Sequence, residues 1–156
     1  MQLLRILDAS DFGFTKSSPW YTHFTYMFFH ASIFHLIINL ISIDFLIKFA
    51  DKYFKSSVYV SFIAAFVLSF FAGMDDPTIG VSGVIYFLFG SYLANINKAR
   101  YWAGGILFIF INIATFLIAH KTNTVLHISC FIAGTTYLFT YKSILLRSIK
   151  NERHDL

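Results

Sequence analysis

Apolar residues run along this chain in five long blocks, at positions 20–49, 58–73, 79–96, 101–120 and 124–141, parted by short polar breaks. Most of the blocks approach the ~20 residues that a helix needs to cross ~30 Å of hydrocarbon. The second is short, and the first is long enough to begin in the interface or to tilt. The pattern predicts an all-α, polytopic transmembrane helical bundle with about five spans. No repeat, low-complexity tract or linker divides it, so residues 1–156 read as a single membrane domain. Residues 1–19 form an outer N-terminal segment and 142–156 a basic cytoplasmic tail. The opening run from Met1 to Leu7 is too short for a signal-peptide core, and Asp8 and Asp11 follow at once.

Composition narrows the reading. Hydrophobic residues make up 57% of the chain and charged ones only 13%. A soluble domain carries about 25% charged residues, so this chain lacks the means to dress a water-facing surface. Its 20 phenylalanines suit a lipid-facing exterior. The single cysteine, Cys130, excludes an intrachain disulfide and reads as small packing.

The net charge of +4 is explained by where the basic residues fall, and not by nucleic acid. Lys48, Lys52, Lys55, Lys98, Arg100, Lys142, Arg147, Lys150 and Arg153 share one side of the bundle; Arg5, Lys16 and Lys121 fall on the other. The positive-inside rule puts the N-terminus outside and the C-terminus in the cytoplasm. Asp75 and Asp76 then lie in an outer loop. Asp44 reads as the i, i+4 partner of Lys48.

Polar groups within the blocks carry the chemical interest, since they are costly in hydrocarbon. Gly80-Val81-Ser82-Gly83 opens the third block from outside, and His127 lies a few residues into the fifth from the same side. His30, His35 and Asn39 are expected to descend the first span, also from outside. Ser82 and Tyr86 share a helix face, as do Gly83 and Gly90; His127, Cys130 and Gly134 make a similar stripe. Small residues at that spacing let helices approach closely. If the stripes face each other, Ser82 and His127 come within hydrogen-bond reach as nucleophile and base, and Tyr86 can pack on the imidazole. His35 and Asn39, four apart, offer donors at successive turns, which suits an oxyanion; His30 is expected to point away from them.

These residues resemble the rhomboid intramembrane serine proteases. The run from His30 through His35 to Asn39 fits that family's HxxxxHxxxN pattern. Gly80, Ser82, Gly83 and Tyr86 fit its GxSGxxY, with Gly90 as the glycine that often follows. His127 and Gly134 look like its last catalytic helix. The resemblance covers roughly residues 20–141. It implies Ser82 as nucleophile and His127 as general base, with His35, Asn39 and the Ser82 backbone N–H as oxyanion donors. His30, Gly83 and Tyr86 would support them. Substrates would be transmembrane segments of other proteins in the lipid bilayer, entering near the block that holds Asn112 and Phe116. The chain resembles a short, five-span form without the first of the usual six spans. The Trp-Arg pair common in the family's large outer loop is absent, and Cys130 stands where a glycine is common.

Two other readings belong beside this one. A catalytically inactive relative would bind or escort membrane proteins, but such relatives typically lose the serine or the histidine. A haem or metal protein would use His30, His35 and His127, yet a five-residue spacing does not put His30 and His35 on one face, and no carboxylate accompanies them. The expectation is therefore no cofactor and no metal. Asn112 is expected to bond a neighbouring helix, and His23, His120 and His154 read as interfacial or tail residues. The oligomeric state is not encoded in any of these features.

Overall fold

The computed structural model describes residues 9–48, 54–96 and 123–152 and, between the last two, 102–103, 105–106, 110 and 114. Asn112, Phe116, His120 and His154 lie outside the described residues, as do Arg5, Lys52, Lys98, Arg100, Lys121 and Arg153. The regular structure among the described residues is helical, as the block pattern predicts, with no strand. Short helix α1 spans Thr22–Thr25, α2 Ile33–Lys48, α3 Phe54–Ser69, α4 Ser82–Ile96 and α5 Thr124–Glu152. The described part of block 101–120 is helical too.

The first apolar block is not one helix. After α1 and a 3-10 turn at Tyr26–Phe28, Phe29 takes an extended conformation (φ −104°, ψ 146°). Ser32 then starts α2 afresh. Its hydroxyl accepts the His35 N–H at 3.1 Å and its carbonyl accepts the Leu36 N–H at 3.1 Å, the two bonds of an N-cap. The halves meet at 89°. His30 therefore sits in the bend and not on the helix that carries His35 and Asn39, which corrects the expectation that all three descend one span.

Helix α4 is the centre of the bundle, packed chiefly on α5 and also on α3 and α2. Two glycines set the closest approach. A Cβ on Gly90 would overlap the Phe131 carbonyl, and one on Gly134 the Phe87 carbonyl. Ser91 Oγ donates to the Gly134 carbonyl across the same contact at 3.0 Å. Gly83 packs where Leu126, Tyr26 and Ala65 converge. At the far end α5 runs on to Glu152, past the end of its apolar block, and Lys142 Nζ donates to the Asn95 carbonyl near the end of α4 at 3.2 Å. A cation there complements the helix dipole. Asp44 pairs with Lys48 one turn along α2.

The outside of the bundle is apolar. Phe34 and Ile38 on α2 and Tyr59 and Ile63 on α3 are all more than half exposed, a surface that water would not favour. No single described helix is long and apolar enough to cross a membrane; the bent pair Thr22–Phe28 with Ile33–Lys48 reaches that length and composition together. With 16 residues α2 extends ~24 Å, short of the ~30 Å of a typical hydrocarbon core.

The N-terminal segment is built into this frame. Phe14 exchanges both backbone hydrogen bonds with Thr78, at 3.1 and 2.9 Å, and the Lys16 N–H reaches the Met74 carbonyl at 3.0 Å. The Phe14 ring is fully buried, edge-on to Tyr26. The loop between α3 and α4 is thus held from the N-terminal side just before it delivers Ser82.

Candidate active site

Ser82 is the first residue of α4, and the Val81 carbonyl accepts the Ile85 N–H at 3.2 Å. The N–H groups of that first turn have no acceptor within the helix and point outward with the positive end of its dipole. Gly80 makes the approach possible. Its φ is +111°, a conformation L side chains rarely adopt, and its N–H donates to the Tyr26 carbonyl at 2.8 Å.

His127 arrives from the first turn of α5, where its N–H bonds the Asn123 carbonyl at 3.1 Å. Its Nε2 lies 2.8 Å from Ser82 Oγ. The Tyr86 ring, one turn along α4 from Ser82, lies flat on the imidazole, with centroids 4.2 Å apart and planes 8° apart. The imidazole is held by a stacked face on one side and meets the hydroxyl with one nitrogen.

Two further side chains come down from α2. A Cβ at Gly80 would sit 2.7 Å from His35 Cε1, 3.1 Å from His35 Nε2 and 3.5 Å from Asn39 Nδ2. Both therefore converge on the glycine two residues before Ser82. Asn39 is buried, and its Nδ2 has no hydrogen-bond partner among the described residues. A buried donor left unpaired is rare and asks for an acceptor. The bend at residues 29–32 brings the His30 ring 5.2 Å from that of His35, edge-on at 68°. His30 does not point away from the pair, and its buried Nε2 is likewise without a partner among the described residues.

A cavity of about 520 Å³ opens over these groups, lined by Ser82, His127 and His35 together with Ala31 and the loop residues Met74, Asp76, Pro77, Thr78 and Ile79. It has room for a peptide bond and its flanking side chains. A hydroxyl on an imidazole, a helix N-terminus beneath and donors from α2 are the parts that acyl transfer requires.

A family model for the Rhomboid domain matches residues 17–144. The chain belongs to the rhomboid family. No curated protein and no solved structure matches it. Rhomboid proteins are integral to the membrane and generally act there as serine proteases, so the apolar exterior of this rhomboid has its medium.

One residue of the site, Asn123, has no role in the sequence reading. It is buried and lines the same cavity. Its Oδ1 accepts the Leu126 N–H at 3.0 Å, while Nδ2 donates to the Ala72 carbonyl at 2.7 Å and to Thr78 Oγ1 at 2.9 Å. An asparagine directly before an apolar run is a helix-start signal, and that was the available clue. His23, read from the sequence as interfacial, is packed inside the protein. It is buried between the rings of Phe14 and Phe70, at 4.9 and 4.1 Å, with Nδ1 2.9 Å from Ser69 Oγ.

Proposed function

We propose that this rhomboid is an intramembrane serine endopeptidase that cleaves transmembrane segments of other membrane proteins, using Ser82 and His127 as a dyad. The observation that carries the reading is the 2.8 Å contact between Ser82 Oγ and His127 Nε2 on the wall of the cavity. In this mechanism His127 Nε2 takes the hydroxyl proton as Oγ attacks the scissile carbonyl carbon. The oxyanion forms beside the α4 N-terminus, where the Ser82 N–H, the Asn39 amide and the His35 ring supply hydrogen bonds. His127 then passes its proton to the leaving amine. Water hydrolyses the acyl-enzyme by the same steps, with His127 again as base. Tyr86 keeps the imidazole in plane, and His30 supports His35 from the bend.

The substrate is a membrane-embedded helix, a reading that an apolar exterior facing lipid supports. In the orientation set by the basic residues, the N-terminus is outside, the C-terminus cytoplasmic, and the cavity opens outward. No cofactor takes part in these steps.

Fluorophosphonate labelling of the purified protein in mild detergent tests the proposal, beside Ser82→Ala and His127→Ala. Labelling of the wild type that vanishes in both folded variants is the expected result. A folded wild type that stays unlabelled would favour an inactive rhomboid that binds or escorts membrane proteins.

A further inference from the structure

His127 reaches Ser82 only if the start of α5 and the loop leading to α4 keep a fixed separation. No covalent link enforces this, since the two residues are 45 positions apart. Among the described residues, the Asn123 side chain bridges that separation. Asn123 holds α5 through the Leu126 N–H, and holds the loop at two points, the Ala72 carbonyl and Thr78 Oγ1. Its own carbonyl takes the His127 N–H. Thr78 is in turn paired through its backbone with Phe14. A continuous line of hydrogen bonds therefore runs from the N-terminal segment through the loop to the turn that carries His127.

We infer that Asn123 is a positioning residue, whose carboxamide sets the distance between His127 and Ser82 by clasping α5 to the loop; this rests on the dyad proposed above. The carboxamide suits the task because it is acceptor and donor at once. Oδ1 serves the cap, and the two N–H bonds of Nδ2 serve the two loop acceptors. An aspartate would keep the cap and lose both donations. Misplacing a catalytic group by about 1 Å slows a reaction ~10²-fold, so the clasp has a measurable consequence.

The test compares the full-length wild type with Asn123→Ala, Asn123→Asp, Thr78→Val and Leu138→Ala in the same detergent. Leu138 is fully buried on α5, three turns beyond His127, and serves as a control for lost stability. The readouts are the fluorophosphonate labelling rate of Ser82, thermal unfolding, and backbone hydrogen exchange across residues 74–80. Asn123→Ala is expected to slow labelling about 10- to 100-fold, Thr78→Val less, and Asn123→Asp to fall between alanine and wild type. Leu138→Ala is expected to label at close to the wild-type rate while unfolding at a similarly reduced temperature. Asn123→Ala should also quicken exchange in the loop. Equal labelling by Asn123→Ala and Leu138→Ala at matched stability would overturn the inference and leave the dyad intact. A wild type that does not label would overturn the dyad; the clasp is then judged by exchange, and an unchanged loop in Asn123→Ala overturns it.

Discussion

Among the described residues, this rhomboid has two serine–histidine side-chain contacts of nearly equal length. Ser82 Oγ lies 2.8 Å from His127 Nε2, and Ser69 Oγ lies 2.9 Å from His23 Nδ1. The sequence separations, 45 and 46, are no more different. What differs is the destination of the hydroxyl proton. Ser69 Oγ donates to the Phe66 carbonyl at 2.6 Å, so its oxygen accepts from His23 Nδ1–H and the ring cannot act as its base. Ser82 has no second hydrogen-bond partner for its hydroxyl among the described residues. Helix ends add to the contrast. Ser69 closes α3 and Ser82 opens α4, so a developing oxyanion would meet the negative end of a dipole at one and the positive end at the other. Ser69 is also sealed from solvent, whereas Ser82 faces a cavity. Distance alone does not make a nucleophile; the proton's acceptor, the helix end and access do.

Substitutions that break one pair should leave the other untouched. Ser82→Ala carries the largest expected effect, a fall in labelling and cleavage of about 10³-fold or more, with unfolding temperature nearly unchanged. Its counterpart Ser69→Ala should leave the labelling rate at the wild-type level. A drop in Ser69→Ala to the level of Ser82→Ala would show that the pairs have been read the wrong way round. Next comes His127→Ala, with a loss of about 10²–10⁴-fold, the range of a general base; it is read by the same labelling rate, with circular dichroism to establish folding.

The proposed oxyanion groups sharpen the comparison, because His35 and Asn39 converge beside Gly80, two residues before Ser82. Asn39→Ala or His35→Ala should each lower the cleavage rate of a transmembrane substrate by about 10²–10³-fold. The two donors can partly replace each other, so the double variant is needed. A loss below about tenfold in both singles and in the double would remove these residues from the mechanism. The smallest effect is on stability. Ser69→Ala strands the buried His23 Nδ1–H without an acceptor, at a cost of about 1–3 kcal/mol, to be read as a lower unfolding temperature at constant specific activity.

Much of the molecule was legible before any coordinates. The apolar blocks gave α3 and α4 to within a few residues, because a helix that faces lipid or other helices has to be apolar over its length. Spacing placed Gly90 and Gly134 at a close helix contact, and Ser82 and Tyr86 on one face, since both follow from 3.6 residues per turn. The break in the first block was not legible. The run from Phe24 to Phe34 stays largely apolar through the bend, and Ser32, which caps the new helix, does not stand out among the chain's other serines. The position of His30 is hidden for the same reason. A helical projection rotates it away from His35, and the bend folds it back.

The sequence by itself determined that this is an all-helical rhomboid with an apolar exterior, and it singled out Ser82, His127, His35 and Asn39 as the residues to watch. Those properties are local: composition, helical period and motif spacing are written within a few turns of chain. Only the tertiary structure decided that the two stripes meet so that Ser82 contacts His127, that Ser69 contacts His23, and that Asn123 ties one helix to the loop before another. These depend on how helices cross and on which groups meet there. The contacts of Asn123 with Ala72 and Thr78, 51 and 45 positions away, leave no periodic trace in either segment.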